Sequence, residues 1–503
     1  MKVKTKIVIS ANEWETRVAV FEQDRLVEFY IERAEQQNLV GRIYKGRVEN
    51  VVKGLRGAFV NIGLRKNGFL PLTEIPEFDI LEGDEIEEAD SGTSRSRVPE
   101  KLPARTITLR EGEEILVQVV KDPFAEKGAR LTSLVSVPGR YLVYFPNAQR
   151  IGISRRIADR RERSRLRDAV RQFKNPQAGL IIRTVAQEAS VDDLRREYQE
   201  LERTWEEIRQ KAEQHSAPAL LYEEPSIALK VVRDLLSEQV EKVLVDYEPV
   251  YQQLLSYVSR VAPRFRRRIE HYQGEVPLLE FTGVEAELER LFHKRIWLKG
   301  GGFITIDQTE AMVAIDVNTG RSAQEEDPEK LIFETNLEAA AEIARQIRLR
   351  DLAGLIIIDF IDMQDPKNTE RVVQELKNHL AHDRAKSDFS KMSRFGLLEM
   401  TRERTRPGMM YLLFETCPVC QGSGRVRSRS EVAMRIERLI LTRLPKLRGR
   451  KVRILASPLM TEFLTTEWFE RLSEFARRYE LAIDVKTDYQ LAPTEFKLLT
   501  ESG

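Results

Sequence analysis

Two acidic residues, each closing an apolar run, are the residues of this sequence best placed to do chemistry. In KGGGFITIDQTEAMVAIDVNTGR, residues 299–321, three glycines open two strand-like runs, and the second run ends on Asp316 with Asn318 two places on. The run Leu355–Ile358 likewise ends on Asp359, and Asp362 follows in DFIDM. Ligands of open sheets bind in the loops beyond the strand ends, and carboxylates gathered at one such edge suit a hard cation such as Mg²⁺. The competing reading is local, because Asp also caps turns after strands by bonding its own backbone.

The second group is Cys417-Pro-Val-Cys420, the only cysteines of the chain. A thioredoxin-like redox pair needs a helix N-terminus behind its first cysteine to stabilise the thiolate. Here Gln-Gly-Ser-Gly-Arg follows instead, which spells a glycine turn. Structural zinc is the alternative, but it takes four ligands, and the five histidines (215, 271, 293, 379 and 382) show no paired ligand spacing near this knuckle. The simplest arrangement is one zinc shared by two chains, each giving two thiolates; a free thiol pair is the other.

These groups sit in a chain of 503 residues, longer than one hydrophobic core serves, so three or more domains are expected. No uncharged apolar run reaches the length that crosses a bilayer, and the N-terminus has no secretory h-region, so a cytoplasmic protein is expected. Two cysteines argue against a secreted disulfide framework. Lys plus Arg (81) balance Asp plus Glu (80), so net charge predicts no partner. The distribution is uneven: residues 79–91 are acidic, whereas 150–171 are rich in arginine, either a solvated helix face or a nucleic-acid contact.

The elements that must position the chemistry can be read in order. Strands at 6–10, 16–21 and 26–31 make too small a sheet to stand alone, so their partners must lie far along the chain. From Val40 short alternating strands broken by glycine suggest a small closed barrel. Phe59 and Phe69 lie in it among Lys53, Arg56, Arg65 and Lys66, a composition that offers stacking faces and charge to single-stranded nucleic acid; a core role for both rings is the alternative. A polar insertion occupies 76–108. Strands are expected at 139–146 and 179–186, the latter ending near Arg183 and Thr184. Leu194, Tyr198, Leu201, Trp205 and Ile208 form the apolar stripe of a helix starting at Ser190. Leu337, Ala340, Ala341, Ala344 and Ile347 mark another helix, and Val372, Val373, Leu376 and Leu380 a third. Strand, helix, strand, helix implies an α/β layer with Asp316 and Asp359 at a common edge.

The motifs AIDVNTGR (314–321), GLIIIDFIDM (354–363), SRFGLLEMTRER (393–404) and CPVCQGSGRV (417–426) resemble those of the bacterial ribonuclease E/G endoribonucleases, over nearly the whole chain. The family's separations also hold, 43 residues between the two aspartates and 101 from Asp316 to Cys417. The resemblance implies a multidomain α/β and α+β architecture: an RNase H-like fold split over 1–36 and 225–292, an S1-type OB-fold domain at 37–133, a 5′ sensor at 134–224, a DNase I-like catalytic domain at 293–413, a zinc link at 414–426 and a small C-terminal α/β domain at 427–503. It implies that Asp316 and Asp359 hold Mg²⁺ and that Asn318 orients the site. Phe59, Phe69, Lys121 and Lys127 become RNA-binding, and Gly139, Val143, Arg183 and Thr184 recognise a 5′-monophosphate. Cys417 and Cys420 become half of a Zn²⁺ site linking a homodimer, with dimers able to pair into tetramers. The insertion makes the barrel loop longer than the family pattern leads one to expect, and no long scaffold tail for a degradosome is expected.

The implied activity is Mg²⁺-dependent hydrolysis of single-stranded, A/U-rich RNA to 5′-phosphate and 3′-hydroxyl ends, stimulated by a 5′-monophosphate, in rRNA and tRNA processing and mRNA decay. Two rivals remain at this level: a non-catalytic RNA-binding scaffold, and a nuclease acting on DNA with the same carboxylates, since backbone contacts tolerate either polymer. Mn²⁺ could replace Mg²⁺, as both favour oxygen ligands.

Overall fold

A computed structural model describes residues 4–35, 39–74, 105–106, 109–123, 127–154, 156–320, 327–393, 395–406, 408–443 and 451–500. Most of the insertion at 76–108 lies outside them; at its neck Thr73 pairs with Thr106 and Glu74 with Arg105. The chain divides into two compact units, residues 1–409 and 410–503. Among the described residues no helix is long and apolar enough to cross a membrane.

Within the first unit, the early strands find the distant partners their size demands. Thr5–Ala11, Glu15–Glu22 and Arg25–Arg33 form an antiparallel meander, and Thr5–Ala11 then runs parallel to Val240–Val245, which is parallel to Ile269–His271. Ile7, Ile9, Val18 and Val20 bury one face of this sheet against the helices Ile227–Leu235 and Glu248–Val261.

The chain between those halves builds two more layers. Ile43–Val52, Gly57–Asn61, Gly68–Pro71, Arg130–Thr132 and Glu114–Lys121 pair in a ring that closes between the first and last, a five-stranded OB-like barrel around Val48, Val60, Leu70, Val117 and Leu131. Ala219–Tyr222, which sequence order assigns to the sensor region, adds itself to this sheet on Ile43–Val52. The four-stranded sheet of Val137–Pro138, Leu142–Phe145, Gly179–Ile182 and Ile151–Ile153 packs on helices Arg160–Arg171 and Val191–Gln214. Of the expected stripe, Leu194, Tyr198, Leu201 and Ile208 are buried and Trp205 is partly buried, and Ser190 and Asp193 form a full capping box. The strand expected over 179–186, with its end near Arg183 and Thr184, runs Gly179–Ile182; Arg183 turns its side chain into polar contacts and residues 184–188 coil into a 3₁₀ turn.

The last layer of this unit is a six-stranded sheet in the order Arg295–Trp297, Phe303–Gln308, Met312–Asn318, Gly354–Asp359, Leu397–Arg402, Ser387–Phe389. Only the pair Met312–Asn318 and Gly354–Asp359 is parallel, as the intervening helix Pro328–Leu349 requires. That helix is buried on two sides. Ala339, Ala340, Ile343, Ala344 and Ile347 belong to the core under the six-stranded sheet, while Arg348 reaches Glu22 and Glu28, and Arg25 reaches Glu342, across to the N-terminal sheet.

The second unit has a three-stranded sheet, Ala482–Thr487, Lys451–Ala456 and Phe496–Thr500 in that order, packed on helices that include Arg429–Arg443 and Pro458–Thr465.

Candidate active site and nucleic-acid surfaces

Strand alternation decides what the six-stranded sheet shows to solvent. Val313, Ile315, Val317, Ile356, Ile358, Leu398 and Met400 turn into the core, so the alternate residues Ala314, Asp316, Asp359 and Glu399 lie on the opposite, exposed face. Asp316 and Asp359 are register partners across the parallel pair, hence side by side on that face. Asn318, two residues along the same face, donates from Nδ2 to Asp316 Oδ2 at 2.8 Å. Burial, and then the charges of Asp316 and Asp362, push the Asp359 carboxyl above the usual carboxylate range. A cation between these groups would relieve that repulsion.

Local structure holds the site's edge. The glycine turn before it is pinned by Glu338, whose carboxylate accepts from Lys299 N at 2.5 Å and Gly300 N at 2.9 Å. A Cβ at Gly302 would lie 2.8 Å from the Asn318 carbonyl, and one at Gly320, where φ is +65°, would lie 2.2 Å from the Gly301 carbonyl. This close backbone approach is why the stretch needs glycine. Beyond Asp359, the main chain of Ile361 is gripped by the buried side chain of Asn336. A groove of about 750 Å³ opens beside Asp362, lined by Lys377, Lys391, Met363, Met392 and Ser393. Sequence reading passed over it; the SRFGLLEM motif forms part of its wall.

No cluster of three or more His, Cys, Asp or Glu close enough to hold a metal occurs among the described residues. The carboxylate pair nevertheless fits Mg²⁺, which keeps several waters and commonly takes one or two carboxylates together with substrate phosphate.

On the barrel, Phe59 and Phe69 are register partners with ring centroids 5.7 Å apart, edge to face and half-buried. Phe69 pairs in turn with Arg130, and Arg130 with Lys121, so two rings and two exposed cations form one row across four strands. Arg130 was not singled out from the sequence, since only the pairing brings it beside Phe69. Lys127 is exposed three residues before it. A Cβ at Gly57 would lie 2.3 Å from the Phe69 ring, which packs over the bare backbone there. Arg56, Arg65 and Lys66 are exposed; the Lys53 side chain lies outside the described residues.

The proposed sensor residues come together from two strand ends. Arg183 Nη1 donates to the Gly139 carbonyl at 2.7 Å and to Asp234 Oδ1 at 2.7 Å. Thr184 and Ser154 share a hydroxyl hydrogen bond of 3.0 Å, and Val143 is half-buried opposite Ile181. The Gly139 loop is held from behind by Glu197, a buried carboxylate that accepts from the N–H groups of Arg140, Tyr141 and Leu142 at 2.6, 2.6 and 2.8 Å. Burial outweighs those bonds and pushes the Glu197 carboxyl above its ordinary range. A Cβ on Gly139 would lie 2.8 Å from that carboxylate, so the glycine admits it. In the arginine-rich helix, Arg163 is structural, buried and bonded to the carbonyls of Ser154 and Ile157, and Arg165 pairs with Glu162.

In the second unit's lead-in segment, Cys417 is exposed and Cys420 partly so. Gln421 N and Ser423 N bond back to the carbonyls of Cys417 and Cys420, and Gln421, Gly422 and Gly424 all have positive φ. The turn is thus a knuckle, as the glycines foretold, with no helix behind the first thiol. The N–H groups of Cys420 and Val419 lower the Cys417 thiol below its ordinary range, which favours the thiolate, the form in which a thiol can ligate a metal.

Against known proteins, a family profile described as "Ribonuclease E/G family" matches residues 136–405, and one described as "RNase E/G, Thioredoxin-like domain" matches residues 416–501. The chain is 37% identical to Ribonuclease G of Salmonella typhimurium over 93% of its own length and 94% of that protein. It is 36% identical to Ribonuclease G of Escherichia coli K12, with 97% of each covered. To Ribonuclease E of Haemophilus influenzae it is 35% identical over 99% of this chain and 52% of that one.

Proposed function

This chain belongs to the ribonuclease E/G family and is a hydrolase, an endoribonuclease of RNA processing; from that premise we propose that it cuts single-stranded, A/U-rich RNA at the Asp316–Asp359 pair, using Mg²⁺, and leaves 5′-phosphate and 3′-hydroxyl ends. The observation that carries this reading is the register pairing of the two carboxylates on the exposed face of the sheet. Mg²⁺, when bound there, supplies Lewis acidity toward the phosphoryl oxygen and an activated water. The chain's own part is to hold the carboxylates side by side, to fix Asp316 through Asn318, and to present the RNA to them.

The presentation is shared. The row Phe59, Phe69, Arg130 and Lys121, with Lys127 nearby, supports a stacking and charge-neutralising grip on unpaired nucleotides. Arg183, Thr184, Gly139 and Val143 form the pocket for a 5′-monophosphate, which raises the cutting rate by adding binding energy at the RNA end. Cys417 and Cys420 donate half of a zinc site that joins two chains, and dimers pair further into tetramers.

The domains run as an RNase H-like sheet formed by residues 1–36 and 225–292, a reading supported by its order of three antiparallel strands followed by two parallel ones. An S1-type barrel at 37–133, a 5′ sensor at 134–224, a DNase I-like layer at 293–413, the link at 414–426 and the small domain at 427–503 complete it. The setting is the bacterial cytoplasm, with rRNA, tRNA and mRNA as substrates.

The test is to incubate the protein, and an Asp316→Asn/Asp359→Asn double variant, with a 5′-monophosphorylated single-stranded RNA in Mg²⁺ or chelator, and to map the product ends. Internal cuts that need the metal, carry 5′-phosphates and vanish in the variant are expected. Cyclic phosphate ends, or cutting by the double variant, would sink the assignment. A matched DNA strand in the same assay separates the DNA-directed alternative.

A further inference from the structure

Among the described residues the Arg183 side chain is held on one side: its hydrogen bonds leave from Nη1, to the Gly139 carbonyl and to Asp234 Oδ1, each at 2.7 Å. Its Nε and Nη2 take no partner among the described residues, and the side chain is about a quarter exposed, at 27%. An arginine clamped in this way presents the Nε–Nη2 edge as a ready fork, the geometry that binds a phosphate through two parallel hydrogen bonds.

Asp234 lies on the helix Ile227–Leu235, not on the sensor sheet, and it gathers more than one cation. Its Oδ1 also receives Arg233 Nε at 3.2 Å, and Arg233 Nη1 reaches the Pro138 carbonyl at 3.2 Å, beside Gly139. Its Oδ2 faces Arg384 Nη1 at 3.5 Å. Arg384 belongs to the segment that enters the catalytic sheet, and the residue before it, Asp383, holds Arg402 through Nε at 2.6 Å and Nη2 at 3.1 Å. Arg402 also bonds Asp351, and it is the register partner of Gly354, the first residue of the strand that ends on Asp359. Arg156, two residues from Ser154, adds a parallel tie by donating to the Asp383 carbonyl at 2.7 Å.

We propose that Asp234 is the positioning residue of the 5′ sensor: one oxygen aims Arg183 at an RNA 5′-phosphate, and the other, on Arg384, ties the sensor to the layer that carries Asp359. This rests on the reading of Arg183 and Thr184 as a monophosphate pocket. The charges of Arg183, Arg233 and Arg384 overcome the burial of Asp234 and hold its carboxyl below the ordinary range, so it stays ionised in working conditions. A dianionic phosphate meets Arg183 already oriented, which lowers the ordering cost of binding. Arg183, Asp234 and Arg384 form one chain of charge contacts, a contiguous physical network of the kind that can carry coupling between two sites.

The experiment measures kcat and KM for one single-stranded RNA carrying either a 5′-monophosphate or a 5′-hydroxyl, with wild type, Arg183→Ala, Asp234→Asn and Arg384→Gln. Asp234→Asn is expected to lower the monophosphate preference in kcat/KM by about tenfold, the scale of one charge-assisted hydrogen bond, and to do so through KM. Arg384→Gln is expected to leave that KM and to reduce the rise in kcat that the monophosphate brings. A merely structural role would move both RNAs alike. A wild-type preference in Asp234→Asn, alongside its loss in Arg183→Ala, overturns the inference and leaves the sensor standing. No preference in the wild type overturns both. Should Asp234→Asn fail to fold, an unchanged rise in kcat in Arg384→Gln is the overturning result.

Discussion

Asn336 holds both polar groups of Ile361's backbone: its Nδ2 donates to the Ile361 carbonyl at 2.8 Å, and its Oδ1 accepts from the Ile361 N–H at 3.1 Å. The side chain is wholly buried, at 0% exposure, and Ile361 stands between Asp359 and Asp362. Replacing Asn336 with Leu leaves both backbone groups without partners and is expected to destabilise the first unit by about 2 kcal/mol or more. A denaturant midpoint checks the stability. The same variant should cut RNA more slowly at a temperature where it remains folded, because the chain leaving Asp359 loses its anchor.

Truncating the barrel's rings should weaken RNA binding without touching the carboxylates. Phe59→Ala or Phe69→Ala is expected to raise the Kd for single-stranded RNA roughly five- to 150-fold, the range of one lost base stack. Gly57→Ala should act in the same direction, since its methyl would occupy the place of the Phe69 ring. Arg130→Gln is expected to reduce the salt dependence of binding by about 0.7 in log–log slope, one phosphate contact on a single strand. Titrations at several salt concentrations separate the two kinds of contact.

The ion pairs between the N-terminal sheet and the helix Pro328–Leu349 set an acid limit. Burial pushes the Glu28 carboxyl up, but the charges of Arg348 and Arg384 and hydrogen bonds from Tyr30 and Arg348 outweigh it and hold it down at about 2, against an ordinary 4.5. A carboxyl depressed in the folded state contributes stability that is complete above its unfolded value and is lost as pH falls toward its folded value. Roughly 3 kcal/mol should therefore disappear between about pH 4.5 and pH 2. Unfolding followed across that window in wild type and Glu28→Gln should show the steeper acid loss in the wild type.

The knuckle predicts a stoichiometry. If two chains share a tetrahedral site of four thiolates, the protein should carry one zinc per two chains. Cys417→Ser or Cys420→Ser should lower the metal content and shift the sedimentation coefficient toward the monomer. Retention of a full-size oligomer by the metal-free double variant would show that the knuckle does not hold the chains together.

What the sequence disclosed follows from how each signal arises. Periodicity reports which side of an element meets the core, so the stripes at 194–208, 337–347 and 372–380 and the two acid-ended strands were legible. It also told that the first three strands lacked partners. It is silent on polar groups that meet across long separations. Glu197 lies 57 residues from Arg140, and Asp234 lies 51 from Arg183, so neither left a local pattern. Arg130 became a neighbour of Phe69 only through a parallel pairing that joins separate strands. The span 179–186 takes in Thr184 and Val185, residues of good β character, but the backbone after Arg183 coils into a 3₁₀ turn.

The N-terminal sheet has a consequence in the order of synthesis. Its strand Thr5–Ala11 emerges ahead of the barrel and the sensor, yet its parallel partner Val240–Val245 is made only after both. At about 5–20 residues per second, the early hairpins wait on the order of ten to fifty seconds for that edge to be covered. The two inserted modules have time to fold before the strands that flank them can meet, and until then the Thr5–Ala11 edge is an open template for pairing.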